Sequence, residues 1–257
     1  MILDYKGTPV FYSDQGKGTP IVLLHGFLEN STMWERLTLE LIQTNRVIAI
    51  DLLGHGKTGC LGYIHSMELM AEMIHAVLVH LKIDKSIFIG HSMGGYVALA
   101  FAEKFPTMIL RLCLANSTAK ADSTERKINR TRAVKAVKQN HRAFVSMAVT
   151  NLFALKNQSL LTDEISHVKK EALKTQQQGI IAALEGMKIR ADRTDILKKA
   201  IFPKLLIIGR NDTVIPCDDL VKEAEETNTN FVIFPDGHMS YIENESLFLR
   251  KIVHFIE

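Results

Sequence analysis

The stretch Ile87-Phe-Ile-Gly-His-Ser-Met-Gly-Gly-Tyr-Val-Ala-Leu-Ala-Phe101 decides the fold of this chain. β-Branched and aromatic residues precede its glycines and a small, apolar run follows them, which predicts a buried strand leading into a buried helix. Between the two lies Gly90-His91-Ser92-Met93-Gly94, with the spacing G-x-S-x-G. A direct turn from strand to helix strains its middle residue, and side chains two positions away would collide. The pattern therefore predicts that Ser92 stands out at the carboxyl edge of a sheet.

This turn would supply more than a serine hydroxyl. The backbone N–H of Met93 begins the predicted helix, where unpaired donors and the helix dipole favour negative charge. Ser92 would then be a nucleophile beside one donor of an oxyanion hole. The second donor should come from the loop after an earlier strand, and we assign it to the N–H of Phe27. The alternatives are a glycine-rich turn with an incidental serine and, around Phe27, a merely tight turn.

A serine hydroxyl needs a base to take its proton, and the base needs an acid to orient it. The predicted base is His238, because it follows the last strand and should reach the same sheet edge as Ser92. His55, in a loop after another strand, is the serious rival. His25 and His91 lie in turns beside the site and are expected to be structural. The other histidines are expected on helical or loop surfaces: His65, His75, His80, His141, His167 and His254.

The predicted acid is Asp212, at the carboxyl end of the strand that precedes the His238 strand. Asp236 lies two residues from His238, and a side chain that close in sequence rarely points at its neighbour's ring. Asp51 also ends a strand, but on the other side of the Ser92 strand. Two further aspartates are expected to cap the next helix: Asp218 and Asp219. The resulting chain order of serine, aspartate and histidine is that of hydrolases with a nucleophile elbow.

The remaining patterns set the organisation of the chain. Continuous apolar strands separated by helices indicate parallel pairing with right-handed crossovers. The helix after the first such strand should be capped by Ser31 or Thr32. Residues 119–199 contain amphipathic helical patterns and no strand-like run. We therefore expect an α/β core domain from residues 1–118 and 200–257, with a helical cap, residues 119–199, inserted after the sixth strand.

Composition and charge exclude several classes of protein. With 257 residues, 47% of them apolar, the chain can bury a large core. A net charge of +3 gives no strong attraction to nucleic acid. No apolar run could span a bilayer, and no signal peptide is recognisable at the N-terminus. Three cysteines far apart argue against disulfides and metal ligation and for a reducing compartment: Cys60, Cys113 and Cys217. We expect a cytoplasmic protein without nucleic-acid, membrane or metal partners, and its oligomeric state stays open.

Five motifs together resemble the α/β-hydrolase fold in its capped, esterase-like form. They are Leu24-His-Gly-Phe27, Asp51-Leu-Leu-Gly-His-Gly-Lys-Thr58, Gly90-His-Ser-Met-Gly-Gly95, Gly209-Arg-Asn-Asp212 and Gly237-His238. The resemblance implies an eight-stranded, mostly parallel sheet with helices on both faces and a helical lid over the site. It implies carboxylic ester hydrolysis by Ser92, His238 and Asp212 without a cofactor. Dehalogenases and epoxide hydrolases of this fold use an aspartate in place of Ser92, and the menaquinone-pathway lyases commonly carry an arginine where this chain has Tyr96.

The same fold hosts thioesterases, carbon–carbon bond hydrolases and small-molecule receptors, so it does not by itself choose the substrate. The leading interpretation is a serine hydrolase that cleaves an ester of a small or medium-sized acyl group through an acyl-enzyme. A thioesterase, a carbon–carbon hydrolase and a receptor with little turnover are the alternatives. Four side chains are expected to line the acyl pocket: Phe27, Val214, Phe144 and Phe153.

The predicted cap is strongly basic, with 17 Lys and Arg against 8 Asp and Glu, a net charge of +9 that leaves −6 on the rest of the chain. If this charge steers substrates, anionic esters should be hydrolysed faster than neutral esters of equal size, with a gap that shrinks as salt rises. Steady-state rates for matched ester pairs at several salt concentrations test this. Equal rates without a salt effect would indicate that the charges are only solvated helix faces.

Overall fold

The computed structural model describes residues 1–257 and contains one eight-stranded sheet. Its strands are Ile2–Tyr5 (β1), Thr8–Gly16 (β2), Thr19–Leu24 (β3), Asn45–Ile50 (β4), Ser86–His91 (β5), Ile109–Ala115 (β6), Lys204–Gly209 (β7) and Asn230–Phe234 (β8). Their spatial order is β1-β2-β4-β3-β5-β6-β7-β8. Only the pairs β1–β2 and β2–β4 are antiparallel. The predicted mostly parallel, eight-stranded sheet is confirmed.

Eleven α-helices accompany the sheet. They are Glu35–Leu41 (α1), Met67–His80 (α2), Met93–Lys104 (α3), Thr124–Gln139 (α4), His141–Thr150 (α5), Thr162–Ala172 (α6), Gln177–Lys188 (α7), Thr194–Lys199 (α8), Cys217–Glu226 (α9), Ser240–Glu243 (α10) and Glu245–Ile256 (α11). None of these helices combines the length and apolarity needed to cross a bilayer. Helices α4 to α8 connect β6 to β7, and residues 119–199, hereafter the helical insertion, contain no strand.

Both faces of the sheet are covered, because successive side chains of a strand point in opposite directions. In β3, Val22 and Leu24 belong to the larger apolar cluster, which also contains residues of α2, α3 and the helical insertion. Ile21 and Leu23, from the same strand, belong to a second cluster with residues of α1 and α11. This two-sided burial explains why the central strands are continuous apolar runs in the sequence.

Two predicted helix caps are wrong. The segment after β3 begins with a short 3₁₀ helix, and its cap is Asn30 rather than Ser31 or Thr32. The side chain of Asn30 accepts hydrogen bonds from both the backbone N–H (3.0 Å) and the hydroxyl (2.7 Å) of Thr32. Asp218 and Asp219 lie in the first turn of α9, after its N-cap. They still face the positive end of the helix dipole, but they do not cap it.

Helix α7 rests directly on the backbone of the core. Gly179 and Gly186 are seven residues apart and therefore lie on one face of the helix. A methyl group on Gly179 would lie 2.1 Å from the carbonyl oxygen of Gly54, and one on Gly186 would lie 1.8 Å from that of His65. His65, predicted on the surface, is fully buried here, and its N–H donates to the carbonyl of Ala182 at 3.0 Å. Only glycine allows so close an approach.

Substituting Gly186→Ala should therefore lower the free energy of unfolding by about 1–3 kcal/mol, the usual cost of overpacking. The midpoint of urea denaturation measures this change. Gln178→Ala, at an exposed position of the same helix, is the matched control and should leave the midpoint nearly unchanged. Equal midpoints for Gly186→Ala and the wild type would contradict the close contact with His65.

Candidate active site

Ser92 occupies the sharp turn between β5 and α3. Its backbone has φ 49° and ψ −114°, a strained conformation for a residue with a side chain. A methyl group on Gly90 would lie 2.5 Å from the carbonyl oxygen of Gly94, and one on Gly94 would lie 2.2 Å from that of Leu24. The N–H of Ser92 donates to Ala115 of the neighbouring strand at 2.9 Å. The two glycines are therefore required by the turn, as their spacing predicts, and Ser92 remains partly exposed.

The structure brings Ser92, His238 and Asp212 together. The Nε2 atom of His238 lies 2.9 Å from the hydroxyl oxygen of Ser92, and its Nδ1 atom lies 2.7 Å from Oδ2 of Asp212. The side chains of His238 and Asp212 are almost completely buried. Because a carboxylate only accepts, the hydrogen-bond pattern assigns the ring proton to Nδ1 and leaves Nε2 free to accept the Ser92 proton.

The Asp212 carboxylate is held by four donors. Its Oδ1 accepts the backbone N–H groups of Val214 (2.7 Å) and Ile215 (3.0 Å), and its Oδ2 accepts the Asn116 amide (3.1 Å) as well as His238. Burial alone would raise the pKa of Asp212, but His238 and the backbone donors outweigh it and keep the pKa below its ordinary value. The carboxylate is therefore ionised at neutral pH.

Asn116 was not predicted from the sequence. It directly follows β6, with φ 47°, and its amide also donates to the carbonyl of Gly237 at 3.2 Å. One side chain thus contacts the acid and the residue before His238. Its position after a strand on the same sheet edge was the available signal, but polar residues follow most strands here, so that signal did not distinguish it.

The rival residues are engaged elsewhere. His55 is fully buried, its Nδ1 lies 3.0 Å from the carbonyl oxygen of Leu53, and burial lowers its pKa to about 3. Asp236 forms an ion pair with Lys156 at 2.7 Å. Asp51, directly after β4, accepts the backbone N–H groups of Ser31 at 2.7 Å and Lys57 at 2.8 Å. None of the three contacts the Ser92 hydroxyl.

The two N–H groups assigned to the oxyanion hole have no acceptor within the protein. Neither Phe27 nor Met93 donates a backbone hydrogen bond to another residue. The loop that carries Phe27 lies against Ser92, since a methyl group on Gly26 would be 3.2 Å from Cβ of Ser92. Both groups therefore have the hydrogen-bonding capacity that the prediction requires, and their role stays a prediction.

The residues expected in the acyl pocket differ in exposure. Phe27 and Val214 are half-buried, whereas Phe144 and Phe153 are buried within the larger apolar cluster. Phe27 and Val214 thus have surface to offer to a substrate. A cavity of about 510 Å³ lies beside the site between the loop after β3, α6 and α10, and its lining includes Glu29 and Tyr241 but no residue of the Ser92–His238–Asp212 set.

The helical insertion reaches His238 through the turn after α5. The N–H of His238 donates to the carbonyl of Leu152 at 3.0 Å. The carboxylate of Glu243, in α10, accepts the N–H of Ala154 at 2.9 Å and the side-chain amide of Asn157 at 2.8 Å. The backbone of His238 is therefore fixed partly by the insertion.

Comparison with known proteins agrees with this geometry. Residues 19–245 match the family profile described as alpha/beta hydrolase fold. The chain belongs to the α/β-hydrolase family. A malate-bound thermophilic esterase from Thermogutta terrifontis superposes on this α/β-hydrolase with a TM-score of 0.92 and 30% identity, covering 99% of this chain and 96% of that one.

Two curated relatives both come from Pseudomonas putida. The 2-hydroxy-6-oxo-2,4-heptadienoate hydrolase is 27% identical to this α/β-hydrolase over 95% of this chain and 91% of its own. The dihydrolipoyllysine-residue acetyltransferase component of an acetoin cleaving system is 29% identical over 93% of this chain. The chain spans only 64% of the length of that acetyltransferase component. An esterase and a hydrolase are thus among its relatives.

The depressed pKa of Asp212 gives a pH dependence of stability. When folding lowers the pKa of a carboxylate, its ionised form stabilises the protein at pH values above the unfolded-state pKa, near 3.8. This contribution is lost as the pH falls through the lower, folded-state pKa. The Asp212→Asn variant should be less stable than the wild type by about 1–3 kcal/mol at pH 7, with a smaller difference at pH 3. Urea denaturation at both pH values measures it, with Asp84→Asn, at an exposed position between α2 and β5, as control. A difference that does not change with pH would contradict the assignment.

Proposed function

We propose that this α/β-hydrolase is a serine esterase that cleaves a carboxylic ester of a small or medium-sized acyl group through an acyl-enzyme. One observation carries the proposal: a continuous line of hydrogen bonds runs from the Ser92 hydroxyl through the His238 ring, at 2.9 Å and 2.7 Å, to the buried Asp212 carboxylate. This arrangement has the geometry that nucleophilic acyl transfer requires. The 30% identity to the thermophilic esterase adds support.

In the proposed mechanism, His238 Nε2 takes the Ser92 proton as the hydroxyl oxygen attacks the ester carbonyl. Asp212 holds the ring in the required orientation and stabilises the imidazolium that forms. The N–H groups of Phe27 and Met93 donate to the oxyanion of the tetrahedral intermediate. The alcohol leaves with the proton from His238, and water then repeats the sequence to release the acid and restore Ser92.

We assign the role of lid to the helical insertion over a core of residues 1–118 and 200–257. Part of its positive charge is neutralised locally, because the buried Asp122 carboxylate binds Arg126, Arg130 and Arg190. Three guanidinium groups on one carboxylate still leave a surplus of positive charge. That surplus is the structural basis on which an anionic ester would be attracted.

The similarity to the 2-hydroxy-6-oxo-2,4-heptadienoate hydrolase favours carbon–carbon bond cleavage as the second candidate activity, and thioester cleavage is a further alternative. A receptor with little turnover is the alternative outside enzymes. A panel of p-nitrophenyl esters of graded acyl length, run beside a fluorophosphonate probe, separates these cases. Labelling of Ser92 without ester turnover would favour a receptor or another scissile bond.

All three cysteines are unpaired, which suits the proposed cytoplasmic location.

Ser92→Ala should lower ester turnover by a factor on the order of 10⁶ while leaving the fold intact, because the members of a catalytic triad act as a unit. Turnover of p-nitrophenyl esters measures this loss, and the same variant should not react with the fluorophosphonate probe. Ser246→Ala is the control, since it removes a hydroxyl at an exposed position of α11. Near-normal turnover by Ser92→Ala would exclude the proposed mechanism.

A further inference from the structure

A buried carboxylate lies directly behind the candidate active site. Oε2 of Glu29 accepts the N–H of Gly26 at 2.6 Å and lies 2.8 Å from Nδ1 of His91, and Oε1 accepts the hydroxyl of Tyr241 at 3.0 Å. The side chain of Glu29 is 3% exposed, so solvent can replace little of this network. Glu29 thus joins the loop after β3, the end of β5 and α10.

The second nitrogen of His91 extends this network to the proposed base. Its Nε2 lies 2.9 Å from the backbone carbonyl oxygen of His238. A carboxylate and a carbonyl can only accept, so both ring nitrogens of His91 donate and the ring is an imidazolium. The side chain of His91 is 1% exposed, and Glu29 is its counter-ion within the core.

The surroundings of His91 favour this charged form. Burial alone would lower the pKa of His91, but Glu29, the His238 carbonyl and, more weakly, Asp212 outweigh it and raise the pKa. Burial alone would raise the pKa of Glu29, but His91 and the Gly26 N–H outweigh this effect and keep that pKa below its ordinary value. The pKa of Tyr241 is raised well above its ordinary value by burial and by Glu29, so its hydroxyl remains a donor. His25 and the His238 ring also face this pair.

We propose that Glu29 and His91 are positioning residues for the esterase reaction and act as one buried ion pair. Each end of the network adjoins a reacting group: Gly26 precedes the oxyanion donor Phe27, His91 precedes Ser92, and His91 also holds the backbone of His238. The pair therefore fixes the oxyanion donor and the base relative to the nucleophile. This role rests on the proposed function.

The network leaves no equivalent arrangement for a glutamine in place of Glu29. If the glutamine amide nitrogen takes the position of Oε2, two hydrogen-bond donors meet, the amide and the Gly26 N–H, and no hydrogen bond can form between them. With its amide oxygen there instead, a neutral His91 has one proton for two acceptors, and either that amide oxygen or the His238 carbonyl loses its hydrogen bond. One of the two positioned groups is thus released. Such a displacement weakens transition-state contacts more than substrate binding.

The Glu29→Gln variant tests the positioning role. Its kcat for p-nitrophenyl esters should fall about 10–100-fold, which is no more than the fall caused by removing one oxyanion donor. Its KM should change less than about 2-fold. The rate of fluorophosphonate labelling should fall in parallel. Asp14→Asn, which removes a carboxylate paired with Arg46 in the strand pair β2–β4, is the matched control and should leave kcat unchanged. Wild-type kcat and labelling in Glu29→Gln would overturn the proposal.

Tyr241→Phe gives a second test, because it removes one donor to Glu29 and leaves the ion pair in place. It should lower kcat by about 3-fold, as expected for one hydrogen bond to a network that otherwise persists. If Glu29→Gln does not fold, an unchanged kcat in Tyr241→Phe overturns the proposal. A wild type that neither turns over esters nor reacts with the probe would instead reject the proposed function, and the positioning role with it.

The charge on His91 can be measured without any turnover. The ¹⁵N chemical shifts of histidine-labelled protein, assigned by comparison with His91→Gln, should show a doubly protonated His91 ring at pH 7 in the wild type. The ring should be neutral at that pH in Glu29→Gln, because a buried imidazolium without a counter-ion is strongly disfavoured. A neutral His91 ring in the wild type at pH 7 would overturn the proposal.

Discussion

The strained backbone of Ser92 is the constraint on which the rest of the site depends. A residue with φ 49° between a strand and a helix persists only when its surroundings hold it. Here the contacts are backbone to backbone: Gly94 lies against the Leu24 carbonyl, and the Ser92 N–H is bonded to Ala115. Contacts with both neighbouring strands, β3 and β6, therefore hold the turn in place. The same packing brings the loops after these strands close to Ser92.

Charge is distributed unevenly around the two histidines of the site. The His238 ring lies between a carboxylate and a hydroxyl, so Nε2 stays available as an acceptor. The His91 ring, whose centroid is 5.2 Å away, lies between a carboxylate and a carbonyl, and both of its nitrogens donate. The two histidine side chains thus have different hydrogen-bonding roles because their partners differ. Glu29 is the counter-ion of the His91 ring, whereas Asp212 accepts the Nδ1 proton of the His238 ring.

Several of the closest contacts between the helical insertion and the core involve backbone groups. Gly179 and Gly186 let α7 lie on the carbonyls of the loops after β4, and the Leu152 carbonyl accepts the His238 N–H. Contacts of this kind tolerate little change in distance, since a backbone group cannot rotate away as a side chain can. The insertion therefore contributes to the position of His238 as well as packing against the core.

The sequence by itself determined the features that depend on local periodicity and on strand order. The glycine spacing around Ser92, the apolar central strands and the polar residues after β7 and β8 were sufficient to predict the sheet and to select Asp212 and His238. Only the tertiary structure decided the partners of buried polar groups. Glu29 and His91 are 62 residues apart, and Asn116 meets Asp212 across 96 residues. The periodicity of apolar residues in the sequence does not reveal such pairs, because their contact depends on which loops meet at one sheet edge.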